Sequence, residues 1–183
     1  MLASVQPTVE PHQAHESQQP AVFDQPTVSD QPRVLSQQEL AAKVRELAGR
    51  PAEWVSRVRL DAEGRWYEQI HVDGCYEIWL ISWLPEHSTG FHDHGEANGA
   101  FSVVWGTLEE NVVPRRGTAV TARPETQGVV RAFGPHYVHD VRNTTESVAV
   151  SIHAYSPPLT AMTRYRLTPS GLVPAATETQ ADW

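Results

Sequence analysis

Cysteine is nearly absent: the 183-residue chain contains one, Cys75. A lone thiol excludes an intramolecular disulfide framework and any zinc finger built on cysteines. Basic residues are also scarce, 14 Lys and Arg against 22 Asp and Glu, for a net charge of −8. Phosphate-rich partners need clustered cations, so neither nucleic acid nor a membrane surface is expected as a partner. No apolar run approaches the ~18 residues of a membrane-spanning helix. The opening MLASVQPTVEP has neither a basic stretch nor an apolar one, so no secretory signal is expected and a cytoplasmic location is.

Hydrophobic residues make up 40% of the chain, slightly below the usual globular share. Residues 1–35 account for much of the deficit. They are rich in Gln, Pro, Ser and Val and poor in Leu and aromatics, a composition that cannot offset the entropy of ordering. A disordered tail is expected there, then a domain over 36–175 and a frayed terminus over 176–183. The ~150 residues beyond the tail suffice for a full core.

A helix is expected from Ser36. Ser36 and Glu39 form an S-x-x-E capping box, Leu40, Val44 and Leu47 follow at helical spacing, and Gly49 and Pro51 end the run. A second short helical piece fits residues 53–58. From residue 65 the pattern becomes short strands: 66–72 and 76–83 around the Asp73-Gly74 turn, then 100–105, 108–113, 119–122, 129–133 and 148–155. Residues 138–141 and 164–167 fit two more. Many short strands with close turns and no βαβ alternation imply a mainly β fold, a sandwich or small barrel. Trp79, Trp83, Trp105 and Phe101 read as core aromatics.

Histidine is the residue in excess. Seven of the nine histidines fall between residues 71 and 153. In Phe91-His92-Asp93-His94-Gly95, positions 92 and 94 of a strand share one face, so two imidazoles can meet one ion. A third ligand must come from another strand. His139, in GPHYVHDVRN, is the first candidate, and His136 in the preceding turn is the second. An H-x-H pair by itself also fits two surface histidines.

His92-x-His94, Gly106 and the later His139-x-x-x-Asn143 resemble the two halves of a cupin metal motif. The glutamate of common cupins falls at Gly99 here, so the pattern resembles a three-histidine cupin, a group in which thiol dioxygenases are prominent. A second segment, Ser151-Ile152-His153-Ala154-Tyr155-Ser156-Pro157-Pro158, closely resembles the S-x-H-x-Y-S-P-P of cysteine dioxygenases. Ser151, His153 and Tyr155 alternate along a strand and can form a hydrogen-bond relay on one face. Together these motifs span roughly residues 65–165.

The resemblance implies a small jelly-roll-like barrel preceded by one or two short helices. It implies Fe(II) held by His92, His94 and His139, although imidazoles alone also suit Cu, Ni or Zn. It implies catalytic roles for Tyr155, His153 and Ser151, with a small thiol and O2 as substrates and a sulfinic acid as product. Mammalian members crosslink the active-site Tyr to a Cys whose position is occupied here by Gly99, so Tyr155 is expected to be uncrosslinked, as in many bacterial relatives. The Arg that holds the substrate carboxylate on the first barrel strand falls near Tyr67. Arg65 or Gln69 could serve instead, and Arg164 is a further candidate. Asp93 and Asp140 adjoin ligands but point the opposite way, which suggests surface or loop hydrogen bonds. The competing readings are another metal-dependent cupin enzyme and a non-catalytic cupin that binds a small ligand. A monomer or small homo-oligomer is expected.

Overall fold

A computed structural model describes residues 33–114 and 118–182. Most of the proposed tail, residues 1–32, lies outside these. Helix α1 spans Gln37–Ala48 and begins as the capping box dictates: Ser36 Oγ accepts from Glu39 N–H, and the Glu39 side chain accepts from Ser36 N–H. Two single 3-10 turns, Pro51–Glu53 and Val55–Arg57, follow where one short helical piece is expected.

Eleven strands come next among the described residues: β1 Tyr67–Val72, β2 Glu77–Trp83, β3 His92–Asp93, β4 Asn98–Trp105, β5 Thr107–Val112, β6 Thr121–Thr126, β7 Val130–Phe133, β8 His139–Arg142, β9 Ala149–Ser156, β10 Ala161–Thr168 and β11 Gly171–Thr179. They form a five-stranded sheet, order β1-β2-β9-β4-β7, and a six-stranded sheet, order β11-β10-β3-β8-β5-β6. Every pairing between strands is antiparallel. Between β4 and β5 the chain reverses at Gly106, where φ is 73° and a Cβ would lie 2.6 Å from the Val148 carbonyl oxygen. That position admits only glycine without strain.

Strand period two divides the five-stranded sheet into an outer and an inner face. Leu80, Ala100, Ile152 and Ala154 point outward and pack with Leu40 and Val44 of α1. Trp83, Phe101, Val103 and Tyr155 point inward, against Leu108 and Val141 of the other sheet. Along β9 the apolar residues therefore anchor the helix, while Ser151, His153 and Tyr155 face the interior.

Three expectations need correction. Leu35, placed in the tail, is buried; its N–H donates to Ser156 Oγ at 2.8 Å and its carbonyl accepts from Asn98 Nδ2 at 2.9 Å, so the core begins before the helix. The frayed terminus is instead the end of β11 and a 3-10 turn, Gln180–Asp182, held by Gln180 Nε2 donating to the Leu159 carbonyl at 2.9 Å. Trp105 is 61% exposed, because the β4–β9 register shifts between Val103 and Trp105 and turns its side chain outward. Among the described residues, no helix is long and apolar enough to cross a membrane.

Candidate active site

β3 pairs with β8 at a single position, His92 opposite His139. His94 follows β3 directly. The ligand atoms of His92, His94 and His139 all lie within 4.8 Å of one another, and all three residues are buried. His92 and His94 bring their Nε2 atoms to 3.2 Å. His92 Nδ1–H donates to the Gly90 carbonyl at 2.9 Å, and His139 Nδ1–H donates to Glu110 Oε1 at 2.9 Å. These acceptors fix the tautomers and leave Nε2 of both rings as a free lone pair. His94 Nδ1 is buried and has no hydrogen-bond partner among the described residues. Burial, then the neighbouring imidazoles, push His92 and His94 well below the ordinary histidine pKa, so both rings stay neutral. Converging neutral imidazole lone pairs repel one another unless a cation lies between them, and the donor set fits a first-row divalent metal.

Glu110 behind His139 was not anticipated. It is 1% exposed and also accepts from Tyr137 Oη at 3.2 Å. Burial alone would raise its pKa, but His139, Tyr137 and Arg123 more than offset this and hold it below the ordinary value. A charged carboxylate on a ligand's Nδ1–H orients the ring and raises its basicity toward a metal. The signal in the sequence was an acid between Leu108 and Val112, on the apolar face of strand TLEENV.

On β9, Ser151 Oγ lies 2.8 Å from His153 Nε2, and His153 Nδ1 lies 3.3 Å from Tyr155 Oη. Trp83, expected only as core, donates its Nε1–H to Ser151 Oγ at 2.9 Å. That contact orders the chain. Ser151 is fully buried, and its hydroxyl proton finds an acceptor at His153 Nε2. His153 Nδ1 then carries the ring proton and donates to Tyr155 Oη, which leaves the tyrosine's own proton to be directed elsewhere. Burial first, then His139 and Arg65, bring the His153 pKa down to about 3. Burial, then Glu77, raises that of Tyr155.

The histidine triad, His153 and Tyr155 border one cavity of about 250 Å³, whose lining includes Arg65, Tyr67 and Arg164. Arg65 is half-buried, with its guanidinium 5.3 Å over the Trp83 ring and no carboxylate within ion-pairing distance among the described residues. Arg164 is engaged: Nη1 donates to the Thr89 carbonyl at 2.9 Å and Nη2 to Glu178 Oε2 at 2.5 Å. Tyr67 stands at the mouth, 40% exposed, edge-on to Trp79. Gln69 is absent from the lining and donates to Glu77 Oε2 at 2.7 Å.

Residues 28–167 match the protein-family model described as cysteine dioxygenase type I. The chain belongs to the cysteine dioxygenase type I family. It is a cysteine dioxygenase-type oxidoreductase with a cupin fold and three buried histidines placed so that they could hold a metal ion. Solved structures resemble its fold at low identity. A protein from Thermus thermophilus is 17% identical with a TM-score of 0.50, covering 57% of this chain and 94% of that one. An uncharacterized conserved protein with a double-stranded β-helix domain from Klebsiella pneumoniae subsp. pneumoniae is 14% identical with a TM-score of 0.48, covering 79% and 97%. An RmlC-like cupin protein from Desulfovibrio desulfuricans is 23% identical with a TM-score of 0.47, covering 56% and 91%.

The remaining residues of this cysteine dioxygenase relative fall as follows. His136 stays outside the triad, its half-exposed ring 3.0 Å from Glu96. Asp93 and Asp140 are buried rather than on the surface, and they bond to neighbouring strands as well as to loops. Asp93 accepts from Tyr165 Oη at 2.8 Å and from Gly95 N–H at 3.1 Å; Asp140 accepts from Ser88 Oγ at 2.8 Å. Cys75 is absent from the cavity lining and packs in the helix-side core. Gly99 lies opposite Tyr155, and a Cβ there would come within 2.2 Å of the Phe133 ring, so Phe133 fills the space a side chain at 99 would take.

Proposed function

We propose that the protein is a non-haem Fe(II) thiol dioxygenase that oxidises a small thiol with O2 to the sulfinic acid. The observation that carries this reading is the opening of the histidine triad, the Tyr155 relay and an unpaired cation, Arg65, onto one cavity. His92, His94 and His139 would hold the iron through their neutral rings. Bound there, Fe(II) would supply positions for a thiolate and for O2, and the redox capacity to add both oxygen atoms to sulfur.

The chain's own residues do the rest. Arg65 takes the substrate carboxylate, since no carboxylate among the described residues pairs with its guanidinium. Tyr67 closes the mouth beside it. Tyr155, held by His153 and Ser151, keeps its proton at neutral pH and points a hydrogen bond at the reacting end of the substrate. Gly99 supplies no sulfur, so Tyr155 carries no thioether and is positioned by hydrogen bonds and by stacking near His94. Trp79, Leu159 and Met162 add apolar surface to a wall otherwise lined by polar and charged side chains.

The test is oxygen-electrode screening of the Fe(II)-loaded protein against cysteine, 3-mercaptopropionate, mercaptosuccinate and a bulkier thiol. Thiol-dependent O2 uptake is expected; none with any thiol at full iron loading would refute the reading.

A further inference from the structure

We propose that Glu178 determines specificity: by holding Arg164 in an ion pair at the cavity wall, it leaves Arg65 as the one unpaired cation among the described residues lining the cavity and confines the site to thiols with one carboxylate. The inference rests on the thiol dioxygenase reading above.

Glu178 lies on β11, outside the segment that matches the family. In the β10–β11 hairpin Arg164 pairs with Ala176 and Met162 with Glu178, so Arg164 and Glu178 are diagonal neighbours. Both are partly buried, and both line the cavity that holds the histidine triad. Arg164 is tied at its two ends, to Glu178 Oε2 at 2.5 Å and to the Thr89 carbonyl at 2.9 Å. A second carboxylate, Asp182, borders the same end and is fixed by Thr179 N–H at 2.8 Å. Arg164 is thus matched by Glu178, with Asp182 also on the cavity wall, whereas Arg65 faces the cavity with no carboxylate partner among the described residues. A thiol with one carboxylate can satisfy Arg65 alone. A second carboxylate on the substrate would have to displace Glu178 from Arg164 and approach Asp182, so like charges disfavour it.

The experiment compares mercaptosuccinate with 3-mercaptopropionate in the wild type, Glu178→Gln and Glu178→Gln/Arg164→Met. Two readouts are kcat/KM and anaerobic binding to the iron-loaded protein by calorimetry. The wild type should favour the monocarboxylate by about tenfold or more, in line with one charged hydrogen bond. Glu178→Gln should shift the ratio about tenfold toward mercaptosuccinate, and the added Arg164→Met should cancel the shift. A ratio within twofold of wild type in Glu178→Gln would overturn the proposal, as would a shift that survives in the double variant. The binding ratio reads the selectivity without turnover, so absence of O2 uptake with every thiol strikes the dioxygenase reading and not this one.

Discussion

Replacing Glu110 should weaken metal binding while leaving the fold intact. Its carboxylate accepts His139 Nδ1–H at 2.9 Å, and both side chains are 1% exposed, so water cannot substitute for the lost partner. Carboxylate partners of ligating histidines are typically worth about 10–100-fold in metal affinity, or ~1.4–2.7 kcal/mol. Glu110→Gln retains an acceptor of the same shape but removes the charge, and should cost about tenfold by this scale. Glu110→Ala leaves Nδ1–H unpaired and frees the ring, and should approach about 100-fold. Arg123 is 3.9 Å from Glu110 and 44% exposed, so water can solvate it after the substitution and the metal-free protein should still fold. Competition of the purified variants with a chromogenic chelator for Co(II) or Zn(II) measures the affinity, and melting of the metal-free proteins checks the fold. Affinities of both variants within twofold of wild type would refute the orienting role.

Three further outcomes follow from the same geometry. Arg65→Met should raise KM for a carboxylate thiol by about tenfold or more, the cost of one charged hydrogen bond, with a smaller effect on kcat; a larger penalty from Arg164→Met would contradict the assignment. Tyr155→Phe should lower turnover about tenfold or more, in the usual range for a lost positioned donor, with iron content unchanged; equal turnover would remove Tyr155 from the chemistry. His153 has a folded pKa of about 3 against an ordinary 6.5, so below 6.5 the unfolded chain binds a proton that the folded one refuses. Stability of the metal-free protein should hold above pH 6.5 and fall as pH drops toward 3, by about 1.4 kcal/mol per unit from this group. Urea midpoints at pH 7 and pH 5 should converge in His153→Gln relative to wild type, and an unchanged difference would argue against a buried neutral His153.

What could be read directly from the sequence was whatever depends on local periodicity. The capping box at Ser36 and Glu39 forms as its spacing requires. Ser151, His153 and Tyr155 share a face because β9 is regular through them. His92 and His94 converge because two residues return a strand to the same side. What could not be read depends on which strands become neighbours. Glu110 reaches His139 only because β5 pairs with β8, and Trp83 reaches Ser151 only because β2 pairs with β9. Their partners are 29 and 68 residues away in the chain. β11 escaped notice for another reason. It is mostly exposed, its sequence GLVPAATET lacks apolar alternation, and β10 pairing rather than burial sustains it. Glu178 and Asp182 were therefore hidden with it. The first-strand register could not separate Tyr67, Arg65 and Gln69, and Arg164 was a candidate from beyond the SPP segment; Arg65, Tyr67 and Arg164 border the cavity, and the Arg164–Glu178 ion pair is what distinguishes the two arginines.

The most direct measurement is the mass of the product formed from a small thiol and 18O2 by the Fe(II)-loaded protein. A sulfinic acid carrying two labelled oxygen atoms, formed in proportion to the O2 consumed, is the expected result. A disulfide, a singly labelled product, or no product at full iron loading would contradict thiol dioxygenation at the His92–His94–His139 site.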